Sequence, residues 1–216
     1  MSNADFTPAL GRSELTDRYD RAIRFWTRER RWRTMLLDAI APGDGESILD
    51  VGSGTGTLAV LIKQRAPGAT VVGVDPDPKI RALAANKAKN ACVDIEFLHG
   101  FARDAADVAG TGRFDKVVSS LVFHQVPLEE KKAGLAAMHA ALKPGGSIHV
   151  ADYGEQRGWL MRRLFRIIQR LDGYENTQHN ADGILPELFA AAGFLDLDER
   201  SVATPTGSIS VFSARG

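Results

Sequence analysis

Strand-length apolar runs alternate with helical patterns along most of this chain. The first five runs lie at residues 48–51, 70–74, 95–98, 114–119 and 147–151. The segments between them carry apolar residues at helical spacing or are short helical turns. Five such units in succession predict an α/β protein, because parallel strands need crossover helices that cover both faces of the sheet. The sequence therefore predicts a doubly wound, mostly parallel sheet.

The end of the chain departs from this alternation. Two strand-like segments, residues 195–202 and 208–214, are separated by only five residues, among them Pro205 and Gly207. A parallel connection needs about a dozen residues or more. The two segments should therefore form a hairpin, and the last strand should run antiparallel to its neighbours.

Length, charge and cysteine content bound the class of protein. The chain has 216 residues, enough for one α/β domain, and its Lys plus Arg total of 27 equals its Asp plus Glu total. Such a balance argues against a dedicated nucleic-acid binder. Cys92 is the single cysteine, which is typical of a reducing compartment. No run approaches the roughly 18 apolar residues of a membrane span, and the start lacks a signal-peptide core. We expect a cytoplasmic protein.

A glycine loop follows the first strand, in the stretch ILDVGSGTGT from residue 48 to residue 57. Glycines at Gly52, Gly54 and Gly56 allow backbone amides to approach a ligand closely. A dinucleotide fingerprint would have its third glycine at position 57, where this chain has Thr57. Asp75 ends the second strand, and its carboxylate has two oxygens that can accept both hydroxyls of a ribose.

These features resemble class I S-adenosylmethionine-dependent methyltransferases. The glycine loop with its preceding Asp50 and the Val74-Asp75 pair look like the first two motifs of that family. Residues 143–147 resemble its proline-glycine turn, and residues 119–124 its segment after the fourth strand. The resemblance is closest to the group that includes quinone-biosynthesis C-methyltransferases and phospholipid N-methyltransferases. It implies a seven-stranded sheet with an antiparallel last strand.

The resemblance also implies which residues bind S-adenosylmethionine. Asp50 would meet the amino group of the cofactor directly or through water, and Asp75 would hold the ribose diol. Many relatives have an Asp where this chain has Phe101; Phe101 could stack on the adenine instead, or Arg103 and Asp104 could replace that contact. The implied cofactor-binding residues are Asp50, Gly52, Ser53, Gly54, Gly56, Asp75, Pro76, Gly100, Phe101, Ala102 and Leu121.

The predicted function is transfer of a methyl group from S-adenosylmethionine to a small or lipophilic molecule, with S-adenosylhomocysteine as the product. In such an in-line displacement the cofactor carries the reactivity, so the protein can act largely by positioning. The motifs of nucleic-acid methylation after the fourth strand are absent, and no histidine spacing indicates a metal site. Two alternatives remain open: a non-catalytic cofactor-binding or scaffold protein, and an NAD(P)-dependent oxidoreductase.

Two residues are candidates for catalysis. His124, just past the fourth strand, could act as a base or orient the acceptor, or it could only shape the pocket through hydrogen bonds. Tyr19 lies in an N-terminal segment, residues 1–43, that is predicted to be helical and to cover the cofactor as a lid; as a core aromatic it fits equally well. Asp152 and Tyr153, at the end of the fifth strand, could touch the acceptor.

The remainder, residues 44–216, is predicted to be the cofactor-binding domain, with a helical insertion at about residues 155–182. Within this insertion, residues 159–171 combine an apolar stripe with four arginines. A basic amphipathic helix of this kind can lie on an anionic membrane, as a peripheral contact. It can also be a lid that roofs the substrate pocket while its arginines stay solvated. The oligomeric state and the acceptor atom are left open by the sequence.

Overall fold

The computed structural model describes residues 28–216, so the candidate Tyr19 lies outside the described residues. Within them, seven strands form one sheet. The strands are β1 (Ser47–Val51), β2 (Thr70–Asp75), β3 (Glu96–His99), β4 (Phe114–Ser120), β5 (Leu142–Tyr153), β6 (Leu195–Thr204) and β7 (Gly207–Arg215). Their order is β3-β2-β1-β4-β5-β7-β6, and β7 runs antiparallel to both β5 and β6. The predicted fold class is confirmed.

Helices cover both faces of this sheet. They are α1 (Glu29–Ile40), α2 (Thr57–Arg65), α3 (Pro78–Asn90), α4 (Ala105–Ala109), α5 (Leu128–Ala141), α6 (Gly158–Asp172), α7 (Tyr174–Ala181) and α8 (Leu185–Ala191). One core lies between the sheet and α4, α5 and α8, and the other between the sheet and α1, α2, α6 and α7. Strands that are buried on both faces consist of continuous apolar runs, so the sequence alone indicates where they lie.

The topology brings three strand ends together. The strand order reverses around β1, which pairs in parallel with β2 on one side and β4 on the other. Val51 is in register with both Val74 and Ser119, so the chain leaves β1, β2 and β4 at the same edge of the sheet. Ligands of open α/β sheets bind at such a switch point, because the adjoining loops diverge there and leave a crevice.

The C-terminal hairpin closes the sheet on the other side. Strands β6 and β7 are joined at Pro205 and Thr206, and the Thr204 hydroxyl donates to the Gly207 carbonyl across this turn. Strand β7 lies between β5 and β6 rather than at the edge. The short connection leaves no room for a crossover helix, so the antiparallel pairing predicted from its length is confirmed.

The N-terminal segment is only partly described. In α1 the side chains of Trp32, Leu36 and Ile40 are buried against the sheet, so this part of the segment belongs to the core. The lid hypothesis for the rest of residues 1–43 concerns residues outside the described range and stays a prediction. None of the helices in the described range has the length and hydropathy of a membrane span.

Candidate functional site

A cavity of about 380 Å³ opens at the carboxyl ends of β1, β2 and β4, where the switch point predicts a ligand. This volume falls within the roughly 300–1,000 Å³ of pockets that bury small ligands. The cavity is lined by Gly52, Gly54, Asp75, Pro76, Asp77, Ile80, Phe101, Ala102, Arg103, Ser120, Leu121, Val122, Gln125, Val126, Pro127, Glu130 and Asn176.

The three glycines of the loop after β1 have different reasons to be glycine. At Gly52 a Cβ atom would lie 2.3 Å from Cγ2 of Val122, so no side chain fits. Gly54 has a φ of +53° and open space where a Cβ would point, and it borders the cavity. Gly56 does not border the cavity, and a Cβ there would meet Ala84 and Phe97 at 3.0 Å. The loop is therefore shaped for close packing on two sides and for a ligand at Gly54.

The Asp75 carboxylate is fixed at the rim of the cavity. Its Oδ2 accepts from the amide of Gly54 at 2.9 Å, and its Oδ1 accepts from the amide of Asp77 at the same distance. Burial raises the pKa of Asp75, and these two amides oppose that rise. Because each carboxylate oxygen can accept more than one hydrogen bond, both can still receive ribose hydroxyls. The geometry fits the role predicted for Asp75.

Asp50 is the last but one residue of β1, and its fully buried carboxylate is poorly supplied with hydrogen bonds. Among the described residues, neither of its carboxylate oxygens has a hydrogen-bond partner of good geometry, although the backbone amide of Ala59 lies near enough to favour the charged form. Burial raises its pKa to about 7, against the opposing charge of Arg33. A buried polar group without a partner costs free energy, and a ligand amine is one group that would satisfy it. Asp50 does not border the cavity, so an amine in the cavity could reach its carboxylate only through an intervening water or after a small movement of the glycine loop.

The loop after β3 provides the wall beside Asp75. Phe101 and Ala102 border the cavity, whereas Gly100 does not. The Arg103 guanidinium lies 4.5 Å from the centre of the Phe101 ring and pairs with Glu130 at 2.6 Å. Asp104 accepts from the amide of Phe101 and does not border the cavity. Of the groups in the two arrangements left open by the sequence, Phe101 and Arg103 border the cavity and Asp104 does not.

The segment after β4 forms the opposite wall. Leu121 has a φ of +57°, an uncommon conformation for a side chain of this type, and its amide donates to the carbonyl of Ala151 at 2.8 Å. Strained backbone of this kind persists where the surrounding structure over-determines it, and it clusters at functional sites. Leu121 borders the cavity, in agreement with its predicted place.

Sequence reasoning missed part of this wall: Gln125, Val126, Pro127, Glu130 and Asn176. The first four directly follow β4 and begin α5, so their position after a parallel strand was a usable signal. Asn176 lies in α7, and its side-chain amide donates to the Gln125 carbonyl at 3.0 Å. No local pattern could indicate that contact, because about fifty residues separate the two.

The comparisons with known proteins agree with this geometry. A family model described as a methyltransferase domain matches residues 48–146. A demethylmenaquinone methyltransferase from Thermus thermophilus is 32% identical, and the match covers 84% of this chain and 90% of that protein. This degree of similarity over nearly the full length decides the family. The chain belongs to the class I S-adenosylmethionine-dependent methyltransferases.

Two further similarities are informative. A ubiquinone/menaquinone biosynthesis C-methyltransferase from Geobacter sulfurreducens is 29% identical over 87% of this chain and 80% of that protein. The solved structure of phosphoethanolamine N-methyltransferase 2 from Haemonchus contortus, with S-adenosylhomocysteine bound, has a TM-score of 0.71 at 17% identity. It covers 94% of this chain but 59% of the other, and at that identity it shows the fold alone. The cofactor of the family is S-adenosylmethionine.

His124 of the methyltransferase lies in a buried charged cluster beside the cavity wall. Its Nδ1 is 2.8 Å from Oδ1 of Asp152, and its Nε2 is 3.3 Å from Oδ2 of Asp172. Asp152 also accepts from the backbone amides of Phe123 and Tyr153, at 2.6 and 2.7 Å. Asp152 ends β5 and Asp172 ends α6, so the imidazole connects the segment after β4 to two other elements. His124, Asp152 and Tyr153 do not border the cavity.

The charge state of His124 follows from these contacts. Burial alone would lower its pKa, but the charges and hydrogen bonds of Asp152 and Asp172 outweigh burial and raise the pKa to about 9. At neutral pH the ring is therefore protonated on both nitrogens and has no lone pair with which to accept a proton. This state fits the pocket-shaping role predicted as one of two alternatives. In residues 28–216, no group of three or more metal-ligating side chains is arranged to hold a metal ion.

The His124 cluster predicts a pH dependence of stability. Since the pKa of His124 is about 9 in the folded protein and 6.5 for an ordinary histidine, the stabilisation is fully present below pH 6.5 and is lost as the pH rises through 9. The free energy of unfolding of the native protein should exceed that of His124→Gln by an amount that falls by on the order of 3 kcal/mol across this window. Urea titrations of both proteins at several pH values measure the difference.

Comparison with the variant removes other titrations from this test. Lys131 is buried beside Asp152, and burial lowers its pKa to about 8, so it also titrates in the window. It is present in both proteins, and its contribution cancels to first order. A difference in unfolding free energy that stays constant from pH 6 to 10 would contradict the assignment of a cationic His124.

Gly54 allows a matched test of the cofactor site. Gly54→Ala would place a methyl group in the cavity, whereas Gly45→Ala would place one in open space elsewhere, and both positions have positive φ. Both variants should lose about 1 kcal/mol of stability through the same backbone strain. Only Gly54→Ala should weaken S-adenosylhomocysteine binding, by roughly tenfold or more. Isothermal titration calorimetry distinguishes them, and equal affinities would remove Gly54 from the site.

Proposed function

We propose that this methyltransferase transfers the methyl group of S-adenosylmethionine to a ring carbon of a small lipophilic acceptor of the quinol type. The observation that carries the proposal is the near full-length similarity to a protein named demethylmenaquinone methyltransferase. The similarity to a protein named as a quinone-biosynthesis C-methyltransferase supports the same acceptor class. As part of this proposal the protein works in the cytoplasm, beside the membrane in which such an acceptor dissolves.

The proposed cofactor contacts follow the geometry of the cavity. S-adenosylmethionine supplies an electrophilic methyl group when bound. Asp75 would receive the ribose hydroxyls, Asp50 would receive the amino group through water, and the open side of Gly54 would admit the ligand. The ring of Phe101 and the neighbouring Ala102 and Pro76 form the adenine end, and Leu121 borders the methionine end. Gly52 borders the cavity with its backbone, whereas Ser53, Gly56 and Gly100 lie behind the wall. The buried Ser53 hydroxyl has no hydrogen-bond partner among the described residues, and Gly56 and Gly100 would act by shaping the loops.

The described cavity wall leaves no side chain free to serve as a base. Asp75 is assigned to the ribose, and the Asp77 carboxylate caps α3 by accepting from the amides of Lys79 and Ile80. Glu130 pairs with Arg103. An electron-rich quinol carbon would need no base before methyl transfer from a bound sulfonium, and the ring proton would pass to bulk solvent after the transfer. The chain contributes alignment and exclusion of water from the cavity, which are sufficient for large rate effects.

The two catalytic candidates take different places in this proposal. His124 acts as a positioning residue, because its ring nitrogens are bonded to two carboxylates and its segment carries Leu121 and Gln125. Tyr19 remains a candidate lid residue near the methionine end. An oxidoreductase is not proposed, because the chain belongs to the methyltransferases. A scaffold role has no specific observation in its favour.

The proposal is tested by incubating the protein with S-adenosylmethionine and a reduced, short-chain demethylmenaquinone. We expect a product that is heavier by one methylene unit, with the new methyl group on the quinone ring, together with stoichiometric S-adenosylhomocysteine. Parallel reactions use phosphoethanolamine and a catechol as acceptors. Gly54→Ala is the negative control.

Each outcome bears on a different part of the proposal. Methylation of phosphoethanolamine or of the catechol oxygen, with the quinol unchanged, would overturn the acceptor class. A thermal-shift measurement with S-adenosylhomocysteine tests cofactor binding separately, since a ligand of the native state raises the melting temperature.

A further inference from the structure

Helix α6 exposes an apolar ridge to solvent. Leu160, Ile167 and Leu171 are 47%, 40% and 56% exposed, and they recur at helical spacing on one side of the helix. Trp159, at the start of α6, is 76% exposed, and Tyr174, just beyond its end, is 64% exposed. Single exposed apolar residues are ordinary, but an aligned row of this kind marks an interaction surface.

This ridge is not the face that holds α6 to the protein. A different side of α6, rotated by roughly 80° to 140° from the ridge at 100° per residue, packs through Phe165 and Ile168, both buried in the core under β7. No residue of α6 borders the described cofactor cavity. The apolar ridge therefore neither fills the core nor roofs that cavity, which disfavours the lid interpretation of residues 159–171.

A row of arginines runs beside the ridge. Arg163, Arg166 and Arg170 are exposed, and among residues 28–216 none of them forms an ion pair. Arg162 pairs with Asp182 at 3.1 Å. At 100° per residue, the three arginines lie on the same flank of the ridge, away from the buried face. Helix α6 thus presents apolar side chains with unpaired positive charge beside them.

A small cleft opens next to this row, between α6 and α7. Its volume is about 160 Å³, and its wall includes Arg162, Arg166, Gln169, Tyr174 and Gln178. Guanidinium and amide groups are hydrogen-bond donors, and guanidinium groups suit phosphate oxygens in particular. At 100° per residue this cleft lies on the side of α6 away from the ridge, and the amides of Gln169 and Gln178 already donate to Gln178 and Asp182. The cleft is therefore separate from the exposed ridge.

We propose that α6 docks on an anionic phospholipid surface, with Leu160, Ile167 and Leu171 inserted at the headgroup level and the arginine row on the lipid phosphates. Exposed aromatic residues such as Trp159 and Tyr174 favour the same boundary. Docking needs neither the cofactor nor the methyl acceptor. It therefore goes beyond the proposed methyl transfer, and a failure of either the docking or the methyl transfer leaves the other standing.

The positive charge of α6 favours an anionic membrane, rather than a second copy of the chain, as the partner of the ridge. A two-fold dimer places the same surface patch of each protomer against the other. On α6 such a contact would bring unpaired arginines close to arginines, with no carboxylate on the exposed side of the helix to compensate. An anionic bilayer satisfies the apolar ridge and the arginine row together.

The test is co-sedimentation of the full chain with mixed phosphatidylcholine and phosphatidylglycerol vesicles, and with pure phosphatidylcholine vesicles. We expect binding to the anionic vesicles that weakens at high salt. Arg163→Ala/Arg166→Ala should reduce the partition coefficient about 25-fold, at about fivefold per arginine. Lys79→Ala/Lys89→Ala, which removes two exposed charges from α3, is the matched control and should bind as the native protein does.

A second variant tests the apolar ridge. Ile167→Ser/Leu171→Ser should lose roughly tenfold or more in partitioning without loss of S-adenosylhomocysteine binding. Trp159 emission should shift to the blue on vesicle binding, and the shift should be absent in Trp159→Phe. Equal binding to neutral vesicles, or unchanged binding of the arginine variant, would overturn the proposal. So would a native dimer that Ile167→Ser/Leu171→Ser converts to a monomer, because a second copy would then cover the ridge.

Discussion

Replacing Asp75 with alanine should weaken S-adenosylhomocysteine binding by on the order of 3 kcal/mol, about a hundredfold in Kd. The carboxylate is held in place by the amides of Gly54 and Asp77, so it needs no rearrangement to meet a ribose. Hydrogen bonds to a charged group are worth about 1.5–3 kcal/mol each, and the ribose offers two hydroxyls. Isothermal titration calorimetry with S-adenosylhomocysteine measures the loss.

Two further variants make the Asp75 result specific. Asp75→Asn keeps one acceptor oxygen and should lose roughly tenfold in affinity. Asp94→Ala, at an exposed position outside the cavity wall, should bind as the native protein does. Because Asp75 also supports the glycine loop, the melting temperature of each variant is measured without ligand. An affinity within twofold of native for a folded Asp75→Ala protein would exclude the ribose contact.

Asp152→Ala should destabilise the protein by about 3–5 kcal/mol, more than any other single carboxylate removal considered for this chain. Asp152 is fully buried, and its oxygens accept from His124 Nδ1 and from the amides of Phe123 and Tyr153. Its removal leaves these donors and the imidazolium without a buried partner. The free energy of unfolding from urea titration at pH 7 measures the effect.

A surface carboxylate provides the comparison. Asp115 pairs with Lys143 at 2.8 Å and accepts from the Ser47 amide, but both side chains of the pair are partly exposed. Asp115→Ala should cost only about 1 kcal/mol, since exposed ion pairs are worth little. The double variant His124→Phe/Asp152→Ala should recover part of the loss of Asp152→Ala, because it removes the stranded charge. If both Asp variants cost the same, the buried cluster is not the stabilising unit described above.

The local patterns of the chain were sufficient to predict the sheet and the places of Gly54 and Asp75 at the cavity. The continuous apolar runs of β1, β2 and β4 indicate that these strands are buried. Gly54 follows β1 and Asp75 ends β2, and the ends of these parallel strands must lie side by side. The same reasoning placed β5 at residues 147–151, whereas the strand is Leu142–Tyr153. The proline-glycine turn lies within its first half, where the pairing with β4 is irregular.

The contacts and charge states of polar residues were harder to predict from the sequence. His124 looked like a base because it follows β4, but its protonation depends on Asp152 and Asp172, which are 28 and 48 positions away in the chain. Asp152 looked like an acceptor contact because it ends β5. It is instead buried under the His124 segment.

The sequence by itself determined the strand alternation, the antiparallel hairpin, the glycine loop and the acidic end of β2. Each of these features depends only on residues that are close together in the chain. Only the tertiary structure decided that His124 is a buried cation, that Asn176 borders the cavity and that one face of α6 remains exposed. Charge state and exposure depend on which distant groups come into contact. These contacts form only when the helices and strands pack together, so no local sequence pattern predicts them.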